Sequence, residues 1–243
     1  EIGPLHVWIG AFSILLLGPL FQLFTGPLDA TILASRIPNL LYFLILISTL
    51  WQGVFRLASR KAAQPLSLPF GGEPSTIDYG RMLADAALLP CVATVGIIWR
   101  LHETSSVPLS LALYSTAFYA LSLAYTKPLR AGALLGLAIG LSFLNQGLWV
   151  ALSLCFSTVM AYVLCVSLRQ QFQSLAIALI TAIIIATFWT VAAVQYPYWW
   201  QQWQAWHAAQ LNWPSFSHLL NSGRNLLWFL WPTWPLVLIT VWQ

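Results

Sequence analysis

The sequence predicts an all-α fold, a polytopic bundle of transmembrane helices, and three observations support this prediction. Of the 243 residues, 59% are hydrophobic and only 7% are charged, whereas a typical soluble domain has about 25% charged residues. Runs of roughly 18 or more apolar residues recur along the chain, the length that a helix needs to cross the hydrocarbon core. The alternating pattern of a transmembrane β-barrel is absent from the sequence.

Eight apolar runs follow one another along a single transmembrane domain, residues 1–243, and we expect about seven of them to span the membrane. Gly10, Gly18 and Pro19 interrupt the first run, which therefore either spans or lies in the interface as a half-buried or re-entrant helix. A cytoplasmic loop is predicted at 62–80 and a periplasmic loop at 196–224. The runs are 5–24, 37–55, 82–99, 108–125, 131–144, 148–166, 172–194 and 226–242.

The positions of Lys and Arg predict the orientation, because cytoplasmic loops near span ends collect them. Alternating crossings place seven of the ten basic residues on one side: Arg56, Arg60, Lys61, Arg81, Lys127, Arg130 and Arg169. This side is predicted to be cytoplasmic, with a functional site on the periplasmic face of a bacterial inner membrane. The basic residues are scattered singly, so the net charge of +4 gives no surface for nucleic acid.

One stretch, YPYWWQQWQAWHAAQLNWP at 196–214, contains five tryptophans, a histidine and no charged residue. At helical spacing, most of its aromatic rings share one face, which predicts an amphipathic helix at the membrane interface. Two interpretations stay open. The rings form an aromatic belt at the level of the lipid headgroups, or Trp199, Trp203 and Trp206 line a wall that binds a lipid tail and the flat face of a sugar.

The loop RLHETSS at 100–106 is the densest cluster of ionisable groups on the predicted outer side. Glu103 is a candidate general base or metal ligand, and Arg100 is a candidate phosphate ligand. A loop between two spans is also polar for structural reasons alone. His207 is either a metal ligand or a hydrogen-bonded interface residue. Arg224 either extends to the interface or neutralises a lipid phosphate.

Asp85 lies inside an apolar run, where a carboxylate is functional by default. Arg81 precedes it by four residues, a spacing at which two side chains meet on a helix. We therefore expect Arg81 and Asp85 to form a structural ion pair.

Four stretches carry a further pattern: EIGPLHVWIGA at 1–11, SRIPNLLYFLI at 35–45, GALLGLAIGLSFLNQG at 132–147 and RNLLWFLWPTWPLVL at 224–238. In this order they resemble the E-K-P-P-L-x-x-W segment, the R-L-P-S-A-L helix, the G-x-x-x-G-L-A-F-L-T-K-G motif and the helix after the large periplasmic loop of one family. This family is the polyprenyl-phosphate-sugar-dependent glycosyltransferases, the GT-C superfamily with protein O-mannosyltransferases and lipid A aminoarabinose transferase. The chain departs from it at Ile2, where the family has Lys, and at Asn145-Gln146-Gly147, which replaces T-K-G.

The resemblance implies an enzyme that takes a sugar from a polyprenyl-phosphate donor and transfers it to a lipid, glycan or protein on the periplasmic face. It implies acidic or metal-binding roles for Glu1 and Glu103, with His207 as a further metal ligand and a divalent metal as a candidate cofactor. Arg224 would face the donor phosphate. The family's leading catalytic Asp would precede Glu1, so we expect the sequence to be an internal part of a longer chain.

Two alternatives to a glycosyltransferase remain open at this point. A transporter or flippase of a lipid-linked substrate would also be polytopic, although such proteins often show matched broken helices in two halves and no internal repeat is visible here. A noncatalytic membrane scaffold would need neither the acidic residues nor the aromatic wall. The donor sugar, the acceptor and the oligomeric state are not predicted.

Overall fold

Apolar runs form helices, and Pro and Gly residues mark where many of these helices begin or end. The computed structural model describes residues 3–65, 72–211 and 216–242, without the side chains of residues 218, 240 and 241. Within this part of the chain the α-helices are α1 (Pro4–Phe21), α2 (Pro27–Ala58), α3 (Thr76–Ala93), α4 (Val95–Leu101), α5 (Ser106–Leu123), α6 (Pro128–Gln146), α7 (Leu148–Leu164), α8 (Val166–Arg169), α9 (Phe172–Val194), α10 (Pro197–Ala209), α11 (Phe216–Phe229) and α12 (Thr233–Trp242). A short 3-10 helix, Lys61–Ala63, follows α2.

The all-α bundle is confirmed, with fewer spans than the seven or so predicted. Among the described residues, α1, α2, α5, α6 and α9 are long and apolar enough to cross a membrane, and α3 with α4 would make a sixth as one bent span. The apolar helix α7 has 17 residues and α12 has 10. The count falls because the runs at 82–99 and 226–242 are each broken into two shorter helices and because α7, in the run at 148–166, is shorter than a typical span.

The connections between helices gather at two ends of the bundle. At one end, called here the α10 end, Asn145 of α6 donates to the carbonyl of Ser106 at 2.8 Å, and the turn after α6 contacts α10. At the other end, Arg60 donates to the carbonyl of Ser122. These contacts define two ends of the bundle, and the membrane side that each end faces stays a prediction.

Helices α6 and α9 form the closest pair in the core, and a stripe of glycines on α6 makes this possible. Gly132, Gly136 and Gly140 recur every four residues, so all three face α9. A Cβ on Gly136 would lie 2.5 Å from the carbonyl oxygen of Ala178 and 2.6 Å from Cβ of Thr181. Small residues at this spacing let transmembrane helices approach to backbone contact and gain dispersion energy. The main buried cluster extends from this pair to α5 and α7.

One predicted span is broken at Thr94, where α3 and α4 meet at an angle of 67°. The hydroxyl of Thr94 donates to the carbonyl of Pro90 at 2.6 Å. The freed N–H of Val95 donates to the carbonyl of Trp231, at the break between α11 and α12, at 3.0 Å. Thr233, just after that second break, lies 2.6 Å from Thr94, hydroxyl to hydroxyl. The two breaks therefore satisfy each other's polar groups.

Helix α1 runs back along the first part of α2. Its Ser13 hydroxyl donates to the carbonyl of Ala34 at 2.6 Å, and its first two turns pack against Tyr42. Asn39 of α2 lies at the α10 end, since it donates to the carbonyl of Glu103 at 2.9 Å. Beyond its first turns, α1 therefore covers the segment of α2 that precedes Asn39 instead of running along α5 and α6. This placement accords with the interfacial alternative, although α1 also has the length of a span.

Asp85 has a different partner from the one predicted. Its carboxylate accepts a hydrogen bond from the indole N–H of Trp51 on α2 at 2.8 Å, while Arg81 pairs with Asp78 at 3.7 Å. The prediction of an Arg81–Asp85 pair was wrong because it considered one helix alone. The indole N–H of Trp51 on the neighbouring helix α2 is the donor, and the spacing of residues along α3 gives no information about α2.

We predict that Gly136→Ala destabilises the bundle, because the added Cβ has no space between α6 and α9. Overpacking of this kind costs about 1 to 3 kcal/mol. Thermal unfolding of the purified protein in detergent, followed by far-ultraviolet circular dichroism, measures the change.

The matched control for this variant is Gly10→Ala on α1, where a Cβ would meet no atom within 4 Å. The control should unfold at or slightly above the wild-type temperature, since Ala favours the helix. Equal unfolding temperatures for the two variants would show that the glycine stripe does not determine the helix contact.

Candidate functional site

The tryptophan-rich stretch forms helix α10, and Trp203 is at the centre of its contacts. The ring of Trp203 packs edge-on against Phe143 at 5.6 Å and against Trp189 at 6.0 Å between centroids. Trp189 in turn packs edge-on against Trp8 of α1 at 4.9 Å. Edge-to-face contacts at these separations are favourable because the ring edge is positive and the ring face is negative. One aromatic cluster therefore joins α1, α6, α9 and α10.

Beside this cluster lies a groove of about 520 Å³ between α1, α9 and α10. It is called here the tryptophan groove. It contains the three tryptophans predicted to line a lipid and sugar site, and none of its described lining residues is charged. The lining residues are Pro4, Val7, Trp8, Trp189, Ala192, Ala193, Tyr196, Trp199, Gln202, Trp203 and Trp206. Such a wall is apolar with a few hydrogen-bonding groups, which suits a neutral amphipathic ligand.

One lining residue offers an unused hydrogen-bond donor. The indole nitrogen of Trp189 is buried and has no hydrogen-bond partner among the described residues. A buried N–H without an acceptor costs about 1 to 3 kcal/mol.

His207 fastens α10 to the bundle by capping α7. Its Nε2 accepts the N–H of Leu148, the first residue of α7, at 2.9 Å, and its Nδ1 lies 2.8 Å from the carbonyl of Trp203. Because a carbonyl can only accept, Nδ1 carries the proton and the ring is the neutral tautomer. Both ring nitrogens are thus occupied, and a metal at His207 would have to displace one of these hydrogen bonds.

Gly147 is the single residue between α6 and α7, and its lack of a side chain leaves space for His207 and Trp206 of α10. Its φ of +90° belongs to the region that glycine adopts without strain. A Cβ there would lie 2.7 Å from the Trp206 ring and 3.0 Å from Nε2 of His207. A glycine is therefore required at this turn both by the backbone and by the close approach of α10.

Glu103 lies in a second pocket, of about 460 Å³, at the α10 end. Its carboxylate accepts from Arg100 at 2.6 Å and from the indole N–H of Trp99 at 3.0 Å. The pocket is lined by Val95, Ile98, Trp99, His102 and Glu103. The guanidinium of Arg100 neutralises the carboxylate of Glu103, so the two side chains form an ion pair with each other. Neither residue lines the tryptophan groove.

Two buried amides hold the Glu103 loop and the Gly147 turn together. Asn39 donates to the carbonyls of Leu101 and Glu103 at 3.1 and 2.9 Å, and Asn145 donates to the Ser106 carbonyl and to the Ser110 hydroxyl at 2.8 and 2.9 Å. These bonds fix the loop and the turn at the same end of the bundle.

Sequence reasoning missed three of the residues that form this region: Trp8, Trp189 and Asn39. It also missed that His207 caps α7 at Leu148. Trp8 and Asn39 fall in stretches that were singled out for the family resemblance, so a signal for them was present. Trp189 lies within the run at 172–194, and nothing there distinguished it from a residue that faces lipid.

The remaining predicted site residues stay apart from both pockets or lie outside the description. Arg224 is exposed on α11 and has no ion-pair or hydrogen-bond partner in the described ranges. Glu1 lies outside the described residues. Within those residues, no group of three His, Cys, Asp or Glu side chains is placed to hold a metal. The metal roles of Glu1 and His207 stay predictions.

Comparison with protein-family models, with curated proteins and with solved structures finds no match to this chain.

We predict that His207→Ala loosens α10, because the N–H of Leu148 loses its acceptor and the ring contacts of the imidazole are lost. The loss of a helix cap costs about 1 kcal/mol. Limited proteolysis of the purified protein, with cleavage near 195–211 mapped by mass spectrometry, should become faster. His102→Ala, at an exposed histidine that bonds within its own helix, should leave that cleavage unchanged. Cleavage at the wild-type rate in His207→Ala would contradict a capping role.

Proposed function

We propose that this protein is a membrane glycosyltransferase that moves a sugar from a polyprenyl-phosphate donor to a lipid, glycan or protein acceptor on the periplasmic face. The supporting observation is the tryptophan groove, whose described lining residues are aromatic or otherwise uncharged, at the same end of the bundle as the Arg100–Glu103 pair. Indole faces suit both an isoprenoid chain and the face of a sugar.

The ion pair suggests how the donor would prepare the reaction. A donor phosphate that binds Arg100 replaces the carboxylate at the guanidinium, since phosphate and carboxylate fit the same donor geometry. Glu103 is then free to act as a base. Arg224 is exposed and lies apart from both pockets, so a role for it at the phosphate would require helix α11 to move towards Arg100.

In the proposed transfer, Glu103 takes the proton of the acceptor hydroxyl as its oxygen attacks the anomeric carbon. The bond from that carbon to the phosphate oxygen breaks, its electron pair leaves with the polyprenyl phosphate, and the configuration inverts. Arginine charge stabilises the leaving group. The mechanism requires the sugar end of the donor to reach from the tryptophan groove past the Gly147 turn to Glu103.

We predict that Glu103→Gln lowers the turnover number for sugar transfer by about 100- to 10,000-fold, the range that a general base contributes. The measurement is transfer from a radiolabelled polyprenyl-phosphate sugar by the complete protein in membranes. Asp29→Asn, which removes an exposed carboxylate from the first turn of α2, is the control and should retain activity. Unchanged turnover in Glu103→Gln would remove this residue from the mechanism.

We also predict that Trp199→Ala raises the KM for the donor about tenfold and changes the turnover number less, because the lost ring would bind the donor equally in the ground state and the transition state. Trp199 is 63% exposed, so the fold should tolerate its removal. The matched control is Trp228→Ala, at a tryptophan on α11 that is 71% exposed and does not line the groove. Equal effects of the two variants would argue against donor binding in the groove.

One observation favours a second candidate, a carrier of a lipid-linked substrate. The breaks at Thr94 and after Trp231 meet inside the protein, and paired discontinuous helices are common at the substrate sites of transporters. Reconstituted vesicles separate the two functions. Movement of an unaltered lipid-linked sugar between leaflets would favour the carrier, and a new glycosidic product would favour the transferase.

A further inference from the structure

Far from the tryptophan groove, helix α2 carries an exposed polar stripe. Ser48, Gln52 and Arg56 recur every four residues and so share one face over about 12 Å. Ser48 and Gln52 are exposed and Arg56 is half-buried. On a helix long and apolar enough to span a membrane, an exposed polar stripe requires a polar partner, because hydrocarbon offers none.

The polar stripe forms one edge of a groove of about 600 Å³ between α2 and α3. Ile47, Trp51 and Phe55 form the adjoining apolar wall, and Trp51 and Phe55 stack with an angle of 9° at 5.2 Å. Leu88 of α3 closes the opposite side. The groove thus combines an apolar channel with a cation at one end.

The length of α2 indicates the depth of this groove in the bilayer. Its 32 residues extend for about 48 Å, whereas the hydrocarbon core is about 30 Å thick. Arg60 donates to the carbonyl of Ser122 near the end of α5, so the end of α2 that carries Arg56 and Arg60 is placed at the headgroup level, and Ile47 lies nearer the hydrocarbon. A chain with a polar head and an apolar tail would match this gradient.

The charges around the groove leave Arg56 available. In the described ranges the ion pairs are Arg81–Asp78 and Arg100–Glu103, so no carboxylate pairs with Arg56. The ring of Tyr119 lies 5.7 Å from its guanidinium. Arg60 is already engaged, over the ring of Tyr125 at 3.3 Å.

The carboxylate of Asp85 is hydrogen-bonded to a residue of this groove. It accepts the N–H of Trp51 and does not line the groove. This hydrogen bond holds the Trp51 indole in the wall of the groove, and the Asp85 carboxylate does not form an ion pair with Arg56.

We propose that this groove binds one membrane phospholipid, with its phosphate on Arg56 and one acyl chain along Ile47, Trp51 and Leu88. Arginine presents a planar set of donors that matches phosphate oxygens, and Ser48 and Gln52 bond the ester region. A transmembrane helix from another protein is the competing occupant. The unpaired cation at the headgroup end favours the lipid, because a phosphate satisfies it directly. This site is independent of the proposed sugar transfer.

The test is native mass spectrometry of the full-length protein in a neutral detergent with added phosphatidylglycerol. We expect one retained phospholipid in the wild type and about tenfold weaker retention in Arg56→Gln, the size expected for one lost charge-assisted bond. Diacylglycerol with the same chains lacks the phosphate and should not be retained.

Arg81→Gln is the matched control, since it removes a positive charge from α3 outside the groove, and it should retain the lipid like the wild type. Far-ultraviolet circular dichroism and thermal unfolding establish that both variants are folded. Asp85→Asn provides a second variant, which should keep the lipid because the groove lining is unchanged.

Three results would overturn the proposal: retention by Arg56→Gln equal to the wild type, equal retention of diacylglycerol, or release of the lipid by millimolar inorganic phosphate. The last result would mean that a soluble anion is the ligand. A bound protein mass in place of a lipid mass would identify a helix as the occupant and would equally exclude the phospholipid.

Discussion

Backbone polar groups that leave a helix inside an apolar environment must find partners within the protein, and this constraint decides where the helices of this bundle break and how they join. Each unsatisfied group in hydrocarbon costs several kcal/mol. At Thr94 the freed N–H of Val95 reaches the carbonyl of Trp231, and at the Gly147 turn the N–H of Leu148 reaches His207. Irregular backbone therefore occurs where a second irregular element or a side chain can accept its hydrogen bonds.

The same constraint arranges the candidate site. His207 is held by two hydrogen bonds, so α10 has a fixed position over the Gly147 turn, and its tryptophans face α1 and α9. Asn39 donates to the backbone of the Glu103 loop, and Asn145 donates to the backbone of the first residue of α5. The groove and the carboxylate are thus properties of one rigid end of the bundle, on which the proposed transfer depends.

The helices could be predicted from the sequence because length and apolar composition alone determine them. The aromatic helix could be predicted in the same way, since its tryptophans recur at helical spacing. The break at Thr94 could not, because its energy depends on an acceptor more than 130 residues away in the chain. The partner of Asp85 was missed for a similar reason, since Trp51 comes from another helix. The roles predicted for Glu103, Arg100 and Arg224 rest on a resemblance and on charge, and the structure adds only their surroundings.

The turn at Gly147 has a consequence for how the protein is made. With one residue between α6 and α7, neither helix can enter the bilayer while the other waits in water, so the two must insert together as a helical hairpin. Its tip carries Asn145, whose amide is bonded by α5, a helix synthesised earlier. His207 emerges from the ribosome later, so α7 is synthesised before the side chain that caps it.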